Sequence, residues 1–175
     1  VSDEQRYEWR SHRRSSWGPV RLVRRADAIE ATVGDATVTL DLTDRRTAAE
    51  RQANPFRDAY DDGVPVTLNG ERVATITTEG KRSGLGRRQR LAVTGDQRFV
   101  LPGMQLTHRG LPKLLTLRSE AGVLVASRRW ASPLNMAVVE WSFVREHDLV
   151  PPRVAGGTRP EHVALWFAVK EEVTL

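Results

Sequence analysis

"PVTLNGERVATITTEG", Pro65 to Gly80, decides the fold class. Two runs of alternating apolar and polar residues flank Asn69–Gly70, a dipeptide that suits a type I′ turn because both central residues must take positive φ. Alternation of period two marks a strand with one buried face. This stretch is therefore an antiparallel hairpin, and the segments around it read the same way.

Upstream, "PVRLVRR" (19–25), "AIEATVG" (28–34) and "ATVTLDLT" (36–43) form a three-strand meander, with Gly34–Asp35 as its second turn. Thr43 or Asp44 caps a short helix, and residues 44–60 are expected to be helical in part. Downstream, "RQRLAVTGDQRFVLPG" (88–103) reads as two strands around Gly95–Asp96. "MQLTHRGLPKLLTLRS" (104–119) and "GVLVASRRW" (122–130) pair around Glu120–Gly122. "LNMAVVEWSFVRE" (134–146) has the Val, Trp and Phe content of a strand. "PEHVALWFAVKEEVTL" (160–175) is apolar on nearly all sides in its middle. Pro160 at a first-turn position, Glu161 beside it and Lys170 later suit a helix, although the β-branched content also suits a strand. About ten short antiparallel strands with few helices predict a mainly β protein, a barrel or barrel-like sheet. No βαβ alternation is present, which argues against a parallel nucleotide-binding sheet.

Residues 1–18 stand apart as an N-terminal arm. Ser2 and Gln5 make a possible capping box for a short helix reaching Arg14, and Trp9 and Trp17 are its large apolar anchors. Residues 19–175 are then one domain.

Composition narrows the function. The chain has 175 residues and no cysteine, which excludes disulfides, thiolate metal sites and a cysteine nucleophile. The longest apolar run, Val163–Val169, has seven residues, against about 20 for a membrane span. With no signal peptide at the start, a cytoplasmic location is expected. Net charge is +5, which favours polyanionic partners. Because 24 of the 27 basic residues are Arg, bulk basicity also fits a codon bias, and the distribution is more informative. Residues 80–130 carry a net +9 and residues 26–79 a net −6.

The basic segment centres on "EGKRSGLGRRQRL" (79–91). It is not a nucleotide-hydrolase loop, since the Gly-Lys-Ser/Thr order is absent and strands flank it. Lys81, Arg82, Arg87, Arg88 and Arg90 around flexible glycines suit anion binding, because the Arg fork matches phosphate and glycine lets amides approach an anion. A charged connection that keeps an edge strand soluble fits the same residues. Arg128 and Arg129, before Trp130, extend the candidate anion-binding set.

No catalytic constellation stands out. No serine lies in Gly-x-Ser-x-Gly. Asp58, Asp61 and Asp62 read as a helix end entering a turn. Glu146, His147 and Asp148 cannot converge from one strand, since neighbours point to opposite faces. No metal site or cofactor is expected, and enzyme activity is left open. Trp141 and Trp166 are expected in the core.

"RFVLPGMQLTHRGLPKLLTLRSEAGVLVASRRW" (98–130) and "PEHVALWFAVKEEV" (160–173) resemble the tubby-like superfamily, which includes phospholipid scramblases and LURP-one-related proteins. The resemblance implies a basic antiparallel barrel closed around an apolar C-terminal helix, and lipid or ligand binding. It does not extend to scrambling, because the final apolar run is short and no Asp-x-Asp-x-Asp pattern occurs. The function expected is a non-catalytic binding module that contacts a phosphorylated lipid headgroup or nucleic acid. Two alternatives stay open: a small barrel enzyme or carrier with an interior cavity, and an interaction module docking a protein partner through its arm.

Overall fold

The computed structural model describes residues 5–10, 19–43, 59–80, 88–109, 114–127 and 152–173. They form one antiparallel sheet in which every strand lies beside its neighbour in sequence. The strands are β1 (Gln5–Arg10), β2 (Pro19–Arg24), β3 (Ala28–Val33), β4 (Ala36–Asp41), β5 (Val64–Leu68) and β6 (Glu71–Glu79). They continue with β7 (Arg88–Gly95), β8 (Gln105–Arg109), β9 (Leu114–Ser119), β10 (Gly122–Ala126) and β11 (Arg153–Val154). Helix α1 (Pro160–Val173) ends the fold.

The hairpin that opened the reading is β5–β6. Asn69 has φ 51° and Gly70 φ 86°, as a type I′ turn requires. The Asn69 side chain adds a tie outside its own hairpin: its Oδ1 accepts the Thr37 N–H at 2.8 Å, while the Asn69 N–H donates to the Thr37 carbonyl at 2.8 Å. One turn thus locks β5 against the start of β4.

Alternation sets one face of each strand inward. Ile29, Ala31 and Val33 on β3 and Val38 and Leu40 on β4 are buried. Leu91, Leu106 and Leu117 stand side by side across β7, β8 and β9, all fully buried. The sheet curls so that both of its halves meet α1, which packs on β2–β4 on one side and on β9 and β10 on the other. Residues His162 to Glu172 are all buried as a result. An all-round apolar stretch such as "VALWFAV" is stable as a helix only in such a place. The helix lies where an interior ligand would sit. Among the described residues β1 and β11 are not paired with each other, so the sheet is barrel-like in its curl but not closed.

Three expectations are corrected. The N-terminal arm does not hold a helix at 5–10. That segment is β1, paired from Gln5 opposite Arg24 to Arg10 opposite Pro19. "QRYEWR" places Tyr7 and Trp9 two apart, the strand period, and the β2 edge gives its backbone partners. "RFVLPG" is not a strand. The Asp96 carboxylate accepts the Arg98 N–H at 2.8 Å, and the Asp96 carbonyl accepts from Phe99 and Val100. This local turn wins over the ladder and drives Phe99 into the core, 2% exposed. The run 104–119 is two strands, β8 and β9. The expected helix over 44–60 lies mostly outside the described residues. Its end, Ala59–Asp61, is a single 3-10 turn with Tyr60 fully buried. Segment 134–146, Trp141 included, also lies outside them. The C-terminal helix and the buried Trp166 are as expected.

Candidate anion-binding surface

A meander of this kind sends alternate strands in the same direction. The C-terminal ends of β2, β4, β6, β8 and β10 therefore share one end of the sheet. The C-terminus of α1 reaches the same end, where Glu171 Oε1 lies 3.9 Å from Arg24 Nη1 and Lys170 Nζ lies 3.4 Å from Ser127 Oγ. Of the sequence-derived candidates, Lys81, Arg82, Arg87, Arg128 and Arg129 lie outside the described residues. The described residues that flank them, Gly80, Arg88 and Ser127, all belong to this end.

Arg88 and Arg90 are in β7. Gln89 and Leu91 occupy the inward positions, and Arg90 between them takes an outward one and is exposed. The register then adds two residues that sequence reading missed. Arg88 stands opposite Arg109 of β8, and Arg90 lies in the row Glu79, Arg90, Thr107, Thr116. One row on, Gln105 stands opposite Arg118 of β9. Among the described side chains, the outer face of β6 to β9 holds Arg90, Arg118, the threonines 75, 77, 94, 107 and 116, Glu79, and Arg72, whose Nη2 donates to Thr75 Oγ1 at 3.2 Å. Arg109 and Arg118 sit in strands that read as ordinary alternation. Only the register, which depends on connection lengths, brings them beside Arg88 and Arg90.

Arg90 and Arg118 are exposed and form no hydrogen bond or ion pair among the described residues. Arg21 and Arg153 are likewise exposed without a partner among the described residues, whereas three other arginines are matched. Arg98 is held by Asp96 at 2.6 Å, Arg25 by Glu30 at 3.4 Å and Arg159 by Glu161 at 3.0 Å. The Arg98 hydrogen bonds pull the Asp96 carboxyl below its usual range. Two like-charged residues directly opposite on a sheet destabilise it, so the Arg88–Arg109 pairing is a feature that folding alone does not favour.

The remaining titratable groups suggest structural roles. His162 is buried against Phe99, and Asp61 and Asp62 are exposed beside the turn at Gly63. Among the described residues no group of three His, Asp or Glu side chains is placed to hold a metal. No helix among them is long and apolar enough to cross a membrane. Compared with protein-family models, curated proteins and solved structures, the chain shows no significant match.

Proposed function

We propose that the protein is a non-catalytic binding module that contacts a phosphorylated partner, a lipid headgroup or a nucleic acid, through the outer face of β6–β9. The observation that carries this reading is the pair of exposed, unmatched arginines, Arg90 and Arg118, in one register with Arg88 and Arg109. Guanidinium groups bind phosphate oxygens through paired N–H donors, and the threonine hydroxyls between them add neutral donors. A place in the tubby-like superfamily is part of the proposal, supported by the curled antiparallel sheet and its buried C-terminal helix. The position of α1 on the concave side favours this surface reading over an interior carrier.

Retention on immobilised heparin, followed as salt is raised, tests the proposal. Affinity should fall steeply with salt, because each neutralised phosphate releases counterions. Exchanging Arg90 and Arg118 for Ser should bring elution to clearly lower salt. Elution of the double variant with the wild type would overturn the assignment to this face.

A further inference from the structure

Strand β1 ends the sheet. One of its edges is fully used, since every residue from Gln5 to Arg10 pairs with β2. Its other edge pairs with no strand among the described residues. Such an edge carries a row of backbone N–H and C=O groups that can template a further strand. The strand reads "QRYEWR", with Arg6, Glu8 and Arg10 at one parity and Gln5, Tyr7 and Trp9 at the other. Charge of a single sign along an edge repels any second copy. Here the sign alternates at 6, 8 and 10, so the edge repels a copy in some registers and fits it in others.

Two antiparallel copies of β1 related by a two-fold axis continue both faces of the sheet only if opposed residues have the same parity. The centre of the pairing then falls on a residue. Centred on Glu8, Arg6 opposes Arg10 twice and Glu8 opposes itself. Centred on Arg6, Arg6 opposes itself. Centred on Trp9, Glu8 opposes Arg10, but the overlap is only Glu8–Arg10. Centred on Tyr7, the overlap runs over Gln5–Trp9, with Arg6 opposite Glu8 twice, Gln5 opposite Trp9 twice and Tyr7 opposite Tyr7. Opposite charges directly across a sheet stabilise it and like charges destabilise it, so the Tyr7 register combines the longest overlap with matched charge. It also extends a row already present. Glu8 stands opposite Arg21 of β2, which is exposed and has no partner among the described residues. The row would run Arg21, Glu8, then Arg6 of the second copy, with alternating sign. We propose that the free edge of β1 is the interface of a symmetric dimer, two copies of this chain joined strand to strand about Tyr7. One strand pair is a small contact, so the dimer is reversible.

Sedimentation velocity of the full chain over a concentration series tests this. The wild type should shift reversibly toward dimer as concentration rises. R6E makes both charged positions acidic and E8R makes both basic, so each variant alone should dimerise at least about tenfold more weakly. Mixed in equal amounts, the two variants match again and should recover dimer. The chain has no cysteine, so a single introduced thiol reports on its own copy across the seam. Y7C should be trapped as a disulfide-linked dimer under mild oxidation, because directly opposed residues have Cα atoms about 4.5–5.5 Å apart, inside the disulfide range. R10C should not, since its two copies would lie roughly 20 Å out of register. The outer-face variant R90S/R118S should dimerise as the wild type does. The proposal is overturned if the wild type stays monomeric at the highest attainable concentration, if R6E or E8R dimerises like the wild type, or if their mixture stays monomeric. It is equally overturned if R90S/R118S abolishes the dimer, or if Y7C cross-links no more readily than R10C. Should a charge variant not fold, the comparison of Y7C with R10C decides.

Discussion

The indole N–H of Trp166 donates to the backbone carbonyl of Leu115 at 3.0 Å, and both groups are buried. Leu115 also receives a ladder bond at that carbonyl from the Ser127 N–H at 3.0 Å. The helix is therefore tied to β9 by a directional bond as well as by packing, with Phe167 edge-on to Trp166 at 4.9 Å. Trp166→Phe keeps most of the volume and removes the donor, and should destabilise by about 1–2 kcal/mol. Trp166→Ala also opens a cavity and should lose about 3–5 kcal/mol. Urea unfolding of the two variants checks the split. Equal losses would show that the cavity adds nothing beyond the lost hydrogen bond.

At the other end of α1, His162 Nε2 lies 2.7 Å from the Phe99 carbonyl, which Arg159 Nη2 also approaches at 3.3 Å. A carbonyl accepts only, so we assign the proton of neutral His162 to Nε2. Burial lowers the His162 pKa, opposed by the bond to Phe99, and the Arg159 charge lowers it further. The unfolded chain then binds the proton more readily than the folded one. Stability is full above the ordinary histidine pKa of 6.5 and is lost as pH falls from there through the lowered folded value. The carboxyls of Asp41 and Asp96, held below their ordinary value of 3.8, act only in a more acidic window. Melting temperatures between mildly alkaline and mildly acidic pH should fall for the wild type and stay flatter for His162→Gln, which keeps a donor for Phe99.

Gly95 closes β7 with φ +153°, and an added Cβ would lie 2.3 Å from the Val73 carbonyl oxygen and 2.6 Å from Ala74 Cα. Both contacts are backbone, so no side chain can move aside. Gly95→Ala should destabilise by about 3 kcal/mol or more, from strain and overpacking together. Gly34, at φ +60°, meets nothing within 4 Å. Gly34→Ala should lose only the roughly 1–2 kcal/mol of a left-handed residue. Measured side by side, a similar loss at both positions would mean that β6 and β7 separate easily at that corner.

The strands were legible wherever alternation was bounded by a turn of fixed chemistry, as at Gly34–Asp35 and Asn69–Gly70. Two segments misled because their outcome is decided at long range. Residues 5–10 carry a capping pattern, yet the free edge of β2 provides backbone partners that a lone helical turn lacks. Phe99 lies in an apolar run, yet its carbonyl serves His162, 63 residues away. The site follows the same rule. The basic cluster is visible in the sequence, but Arg109 and Arg118 join it only through register.

The Arg88–Arg109 pairing sets stability against binding, and so gives a test with two readouts. Thr107 and Thr116, one row away, show that threonine suits this face. Arg109→Thr removes one of two opposed like charges and supplies a residue with good strand propensity. The free protein should gain about 0.2–1 kcal/mol, the range for cross-strand pairs, and the gain should shrink as salt screens the repulsion. Heparin affinity should weaken, and the slope of log affinity against log salt should become shallower by about 1, one phosphate contact fewer. A variant that gains stability and keeps its salt slope would place Arg109 outside the binding face. One that loses both stability and affinity would show that Arg109 supports the sheet itself. Greater stability with weaker binding is the result expected of a residue kept for its partner rather than for the fold.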